Sequence, residues 1–126
     1  MQSNILRLTI VVIALLISSS SSKNDLKNQI TIKINSIDSE TKQLRINRFD
    51  SVEVRKEGIG YLMKTFNTVG KYVTDSTGSV KIKIDCREVY QIRVYGLHAY
   101  GGDNFEKEEL KDGQKVNIEV VPNQIY

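Results

Sequence analysis

The sequence predicts an all-β fold, an antiparallel β-sandwich of about seven strands, and three observations carry that expectation. Apolar residues alternate with polar ones in segment after segment, the period of a half-buried strand. Gly- and Asp-containing turns separate these segments at intervals of about 8–15 residues, the rhythm of sandwiches and barrels. No segment repeats apolar residues at the i, i+3, i+4, i+7 spacing of an amphipathic helix.

A different pattern precedes the first strand. Residues 1–7 carry one positive charge, Arg7; residues 8–17 are apolar; residues 18–22 are all serine. Charge, apolar run and small-residue exit in that order mark a secretory signal peptide. The run is about half of the roughly 20 residues that span a bilayer, so no stable transmembrane span is expected. Residues 1–22 thus read as a cleaved leader and the protein as exported, periplasmic or extracellular. No cysteine follows the leader to carry a lipid. Residues 23–28 read as a flexible tether, 29–122 as one β-sandwich domain, and 123–126 as a C-terminal tail.

Along the domain, Ile30, Ile32 and Ile34 alternate with Thr31, Lys33 and Asn35 in a first strand. Residues 38–43 form a polar turn, and Leu44 and Ile46 a short stretch. Val52 and Val54 mark the next strand, which Gly58 and Gly60 break. Residues 61–67 suit another strand, with a second break near Gly70. Residues 71–74 lead into Asp75-Ser-Thr-Gly78, where Gly accepts the positive φ of a tight turn. Residues 79–85 alternate, and Tyr90, Ile92 and Val94 share one face. Residues 97–104 read as a loop around Gly101 and Gly102, residues 105–111 as strand or helical turn. Asp112-Gly113 turns the chain into residues 115–121, which Pro122 ends.

Charge and cysteine content narrow the function classes. The 126-residue chain has 18 Lys and Arg; Arg7 belongs to the leader, leaving 17 against 15 Asp and Glu, a net charge of +2. The charges are interspersed, whereas nucleic-acid binders concentrate basic residues on one face, so no nucleic-acid partner is expected. Cys86 is the single cysteine and cannot form a disulfide within the chain. Its even-numbered parity with Val80, Ile82 and Ile84 places it on the apolar face of its strand as a small hydrophobe.

No catalytic set is visible. A Ser-His-Asp arrangement needs a histidine base, and His98 is the only histidine, with no Gly-x-Ser-x-Gly turn in the chain. One His and one Cys fall short of the three or four ligands of zinc. Asp103, Asn104 and Glu106 lack the spacing of a calcium loop. Lys33, Glu53 and Asn117 lie on strands suited to a Lys–Asn cross-link, but on the polar parity, where that reaction lacks a dry interior. No enzyme activity, cofactor or metal is therefore expected. The distinctive surface is the 95–105 segment, where Tyr95, His98, Tyr100 and Phe105 place aromatic groups among glycines as candidate binding residues. A plainer reading has Tyr95 and Phe105 covering the open end of the sandwich, with Tyr100 and His98 incidental.

Thr74-Asp75-Ser-Thr-Gly78, the following strand, and Tyr90-Gln-Ile-Arg-Val-Tyr95 resemble the transthyretin-like, or carboxypeptidase-regulatory-like, sandwich domains of exported bacterial proteins. Residues 50–56 stand where that family has its Val-x-Val strand, and about fifteen positions over residues 29–121 carry the likeness. The Gly and Pro residues usual between the first two strands are missing. The resemblance implies a spacer, accessory module or carrier of binding loops. One branch hydrolyses 5-hydroxyisourate with several histidines and a C-terminal Tyr-Arg-Gly-Ser; this chain has one histidine and ends Asn-Gln-Ile-Tyr. The leading expectation is a non-enzymatic binding or accessory module with a protein or glycan partner. The alternative is a structural subunit that self-assembles through edge strands, for which residues 30–34 and 116–121 are the suspected edges. Light scattering separates the two.

Overall fold

The computed structural model describes residues 27–60 and 62–122. The leader, most of the tether and the C-terminal tail expected from the sequence lie outside the described residues. Those described contain seven strands: β1 (Gln29–Asp38), β2 (Ser51–Gly58), β3 (Thr65–Val73), β4 (Ser79–Asp85), β5 (Tyr90–Gly96), β6 (Ala99–Phe105) and β7 (Lys115–Pro122). They form a sheet of order β3-β2-β5-β6-β7-β1-β4. The sheet is mixed rather than antiparallel, because β1 runs parallel to β7 while pairing antiparallel to β4.

Period-2 alternation builds the interior. Ile32, Ile34, Val52, Val54, Ile82, Ile92, Val94, Ile118 and Val120 are almost wholly buried in one continuous core, with Ala99, Leu110 and Val116 beside them. Each such aliphatic side chain contributes on the order of 1.5–3 kcal/mol through removal from water. Their odd or even partners point outward, as Lys81 and Lys83 do from β4. Tyr90 is buried as well, and its hydroxyl accepts the Asp85 N–H at 3.0 Å.

β3 and β4 stand at opposite ends of the strand order although they are consecutive in the chain. The 75–78 turn therefore crosses from one edge of the sheet to the other and does not close a hydrogen-bonded hairpin. Its turn chemistry is as expected: Asp75 Oδ1 accepts the N–H groups of Thr77 at 2.9 Å and Ser79 at 3.2 Å, and Gly78 has φ +85°. Those hydrogen bonds, led by the one from the Thr77 hydroxyl, hold the Asp75 carboxyl below the ordinary carboxylate range.

Three local expectations are corrected. β3 runs through Gly70 without a break, because a bulge absorbs the irregularity: Val54 faces Gly70 and Arg55 faces Thr68, which leaves Val69 as the extra residue. The expected loop at 97–104 is mostly strand β6. A Cβ on Gly101 would come within 2.0 Å of the Glu119 carbonyl oxygen, so this glycine lets β6 approach β7 closely and does not mark a turn. Cys86 lies in the turn after β4, half-buried rather than in the core. Its thiol is pushed up in pKa by partial burial and then by the Glu108 carboxylate.

Candidate functional site

The four aromatic candidates are carried by β5 and β6 and do not converge. Gly96 pairs with Ala99, so Leu97 and His98 alone form the connecting turn. His98 takes φ +51° there and is exposed. Tyr95 and Tyr100 face each other across the hairpin, with ring centroids 5.3 Å apart and planes tilted by 49°. Arg93 hydrogen-bonds to Tyr95, which raises its pKa further. Phe105 sits at the far end of β6, opposite Tyr90 and packed against the core. At about 3.4 Å per residue, the four intervening residues of β6 put it about 17 Å along the strand from Tyr100. The outward face beside Tyr100 holds a shallow depression of about 360 Å³ bordered by Gln91, Arg93, Asp103 and Asn104. Gln91 Oε1 accepts from Arg55 at 3.3 Å and Arg93 at 3.5 Å.

Sequence reasoning missed a buried polar cluster below the end of the sheet. The fully buried Asp50 carboxylate accepts the Ser36 hydroxyl at 2.7 Å and Arg45 Nε at 2.8 Å. The Arg45 side chain is itself only 8% exposed and lies 3.7 Å from Asp38. A Cβ on Gly96 would strike Asp50 Oδ1 at 2.6 Å. The neighbouring Thr74 hydroxyl is buried, and among the described residues it has no partner. With its charge compensated by a guanidinium, Asp50 is set up to clasp the β1–β2 connection to β1. Ser36 lies within β1 and Asp50 directly before β2, and nothing in the alternation around them marks either as buried.

The expected assembly edges are also relocated. β1, which holds residues 30–34, is flanked by β4 and β7, so it is interior. β7 likewise lies between β1 and β6, although it meets β6 only at Val121 and Pro122. The free edges are β3 and β4. On β3, Val69 and Val73 are 56% and 58% exposed, and the adjoining β2–β3 connection exposes Ile59, Leu62 and Met63. On β4, Lys81 and Lys83 stand outward, the kind of charge that discourages strand addition. Between the two edges runs a depression of about 350 Å³ whose apolar floor includes Val54, Val69, Tyr72, Ile84 and Tyr90.

The members of the Lys–Asn cross-link considered above do not meet. Lys33 and Asn117 stand on the outward face of β1 and β7, and Asn117 accepts from Asn35 at 2.9 Å. Glu53 lies on β2, paired with Arg55 and accepting from Thr68. Among the described residues no three His, Cys, Asp or Glu side chains gather to hold a metal, and no helix is long and apolar enough to cross a membrane.

No protein-family model and no curated protein matches the chain. Among solved structures, it is similar to the C-terminal domain of the shaft pilin SpaA from Lactobacillus rhamnosus GG. The TM-score is 0.52 at 12% identity, over 75% of this chain and 98% of that domain. A double mutant of the same shaft pilin aligns with a TM-score of 0.51 at 11% identity, over 78% of this chain and 47% of that one. The chain thus spans about half the length of that longer pilin. At such identities the likeness is one of fold.

Proposed function

We propose that this protein is an exported, non-enzymatic structural subunit that assembles with copies of itself by strand addition at β3. The observation that carries the reading is the β3 edge. Eight of its nine residues pair with β2 and none on the other side, with Val69 and Val73 exposed and an apolar β2–β3 tip alongside. Unpaired N–H and C=O groups on such an edge are a template for a further strand. The fold it shares with shaft pilin domains supports a structural role at the cell surface. A cleaved leader at residues 1–22 and a two-layered sandwich belong to the same reading. The transthyretin-like resemblance rests on about fifteen positions over residues 29–121, chiefly 50–56, 74–78 and 90–95.

Lysine-directed cross-linking followed by mass spectrometry tests it. Links between copies should concentrate at Lys64 and Lys71, which flank and occupy β3. Links between copies that avoid both residues would defeat the β3 interface.

A second reading has one specific observation in its favour. The Tyr95–Tyr100 pair with Arg93 on an outward sheet face resembles an anchor for a protein or glycan. Tyr100→Ala with His98→Ala should then abolish capture of a partner while the melting temperature stays within a few degrees. Unchanged capture would remove this reading.

A further inference from the structure

The pairing of three strands brings lysines together that the sequence keeps far apart. Lys33 on β1 stands directly opposite Lys81 on β4 and directly opposite Lys115 on β7. All three share the outward parity of their strands, so they form one row across the face. Lys83 follows two residues along from Lys81. Adjacent strands lie about 4.8 Å apart, so the three Cα positions span only about 10 Å. Like charges directly opposite on neighbouring strands are destabilising, and none of the four lysines forms an ion pair among the described residues. Two acids border the row: Asp112, on the rim of the same shallow depression of about 470 Å³, and Asp75, whose carboxyl pKa the Lys33 charge helps to lower. One of the Asp112 carboxylate oxygens already accepts the Thr31 N–H at 2.8 Å.

Beside the lysine row runs a second row of different chemistry. Ser79 donates to Asn35 at 2.7 Å, and Asn35 donates to Asn117 at 2.9 Å, in a hydrogen-bonded ladder across the same three strands. The face therefore joins a stripe of positive charge to the side-chain amides of Asn35 and Asn117, with the Ser79 hydroxyl buried at the end of the ladder. It is open and flat, without walls to enclose a small molecule.

We propose that this face of β4, β1 and β7 binds a linear phosphate polymer, a chain of hydroxylated units joined by phosphodiesters that lies along the lysine row. The charge complementarity decides the class. Lysine ammoniums bind phosphate as point charges, and a phosphodiester chain repeats one charge on every unit, in step with a row of lysines. Successive charges on a flexible chain can neutralise adjacent lysines that otherwise repel. The amide row offers hydrogen bonds to the hydroxyl groups between the phosphates. This surface is separate from β3, so it is compatible with the assembly proposed above and does not depend on it.

The probe is long-chain inorganic polyphosphate, with polyglutamate, heparin and duplex DNA as competitors, titrated against the full chain at two salt concentrations. Wild type should bind polyphosphate more tightly than the competitors and lose affinity as salt rises. Lys33→Gln with Lys81→Gln and Lys115→Gln should weaken binding at least tenfold, and relief of repulsion should raise the melting temperature. A control removing equal charge elsewhere, Arg48→Gln with Lys56→Gln and Lys107→Gln, should change affinity less than threefold. If the triple variant does not fold, Lys81→Gln alone should still weaken binding severalfold. Equal losses in row and control variants would overturn the proposal, since net charge alone would then account for binding. Preference for any competitor, or no binding at low salt, would overturn it as well.

Discussion

Gly101 shows how one absent side chain shapes this fold. Its missing Cβ leaves room for the Glu119 carbonyl oxygen, 2.0 Å from where that carbon would sit. Gly101→Ala should destabilise the protein by about 1–3 kcal/mol, the usual cost of overpacking, read as a lower midpoint in urea at an unchanged slope. Asp50 decides the neighbouring end of the molecule. Asp50→Ala strands the Arg45 guanidinium and the Ser36 hydroxyl in the interior, and a loss of about 3–5 kcal/mol is expected. Asp85 sets the acid limit. Hydrogen bonds from the Arg87 side chain, then its N–H, lower the Asp85 pKa to about 2 from 3.8. A carboxylate depressed in the folded state stabilises above its unfolded pKa and loses that contribution as pH falls through the folded value. Stability should therefore decline between about pH 4 and pH 2, and Asp85→Asn should flatten that part of the profile. The effect is modest because Arg87 is 58% exposed and its pairing is screened.

At the scale of elements, alternation in the sequence located β1, β2, β4, β5 and β7 because each buries one face. It failed where backbone chemistry outweighed pattern. Gly70 and Gly101 look like breaks, yet one adjoins a bulge and the other permits a close strand contact. Pairing partners were not legible, so the suspected edges fell on interior strands and the lysine row went unseen. Lys81 and Lys83 are near each other in sequence, but Lys33 and Lys115 join them only through registers spanning most of the chain. The aromatic candidates were legible as residues but not as an arrangement. Tyr95 and Tyr100 do come together, whereas Phe105 belongs to the other end of β6. The β5–β6 turn makes its own prediction. His98 holds φ +51°, a left-handed conformation that glycine adopts without steric cost. His98→Gly should stabilise the hairpin by up to about 1 kcal/mol, seen as a higher melting temperature.

Among the described residues, the order β3-β2-β5-β6-β7-β1-β4 builds one core and leaves two free edges joined by the five residues 74–78. The edges are unequal. β4 presents Lys81 and Lys83, while β3 presents Val69 and Val73 with a single lysine, Lys71, between them. That asymmetry is why the assembly is placed at β3. Both valines are exposed, so replacing them with lysine leaves the core untouched and protects the edge as β4 is protected. Sedimentation velocity of wild type and of Val69→Lys with Val73→Lys, across a hundredfold concentration range, is the most direct test. Wild type should shift to larger species as concentration rises, and the variant should stay at the smallest species with its melting temperature within a few degrees. A wild type that remains monomeric throughout, or a variant that assembles as wild type does, would contradict assembly through β3.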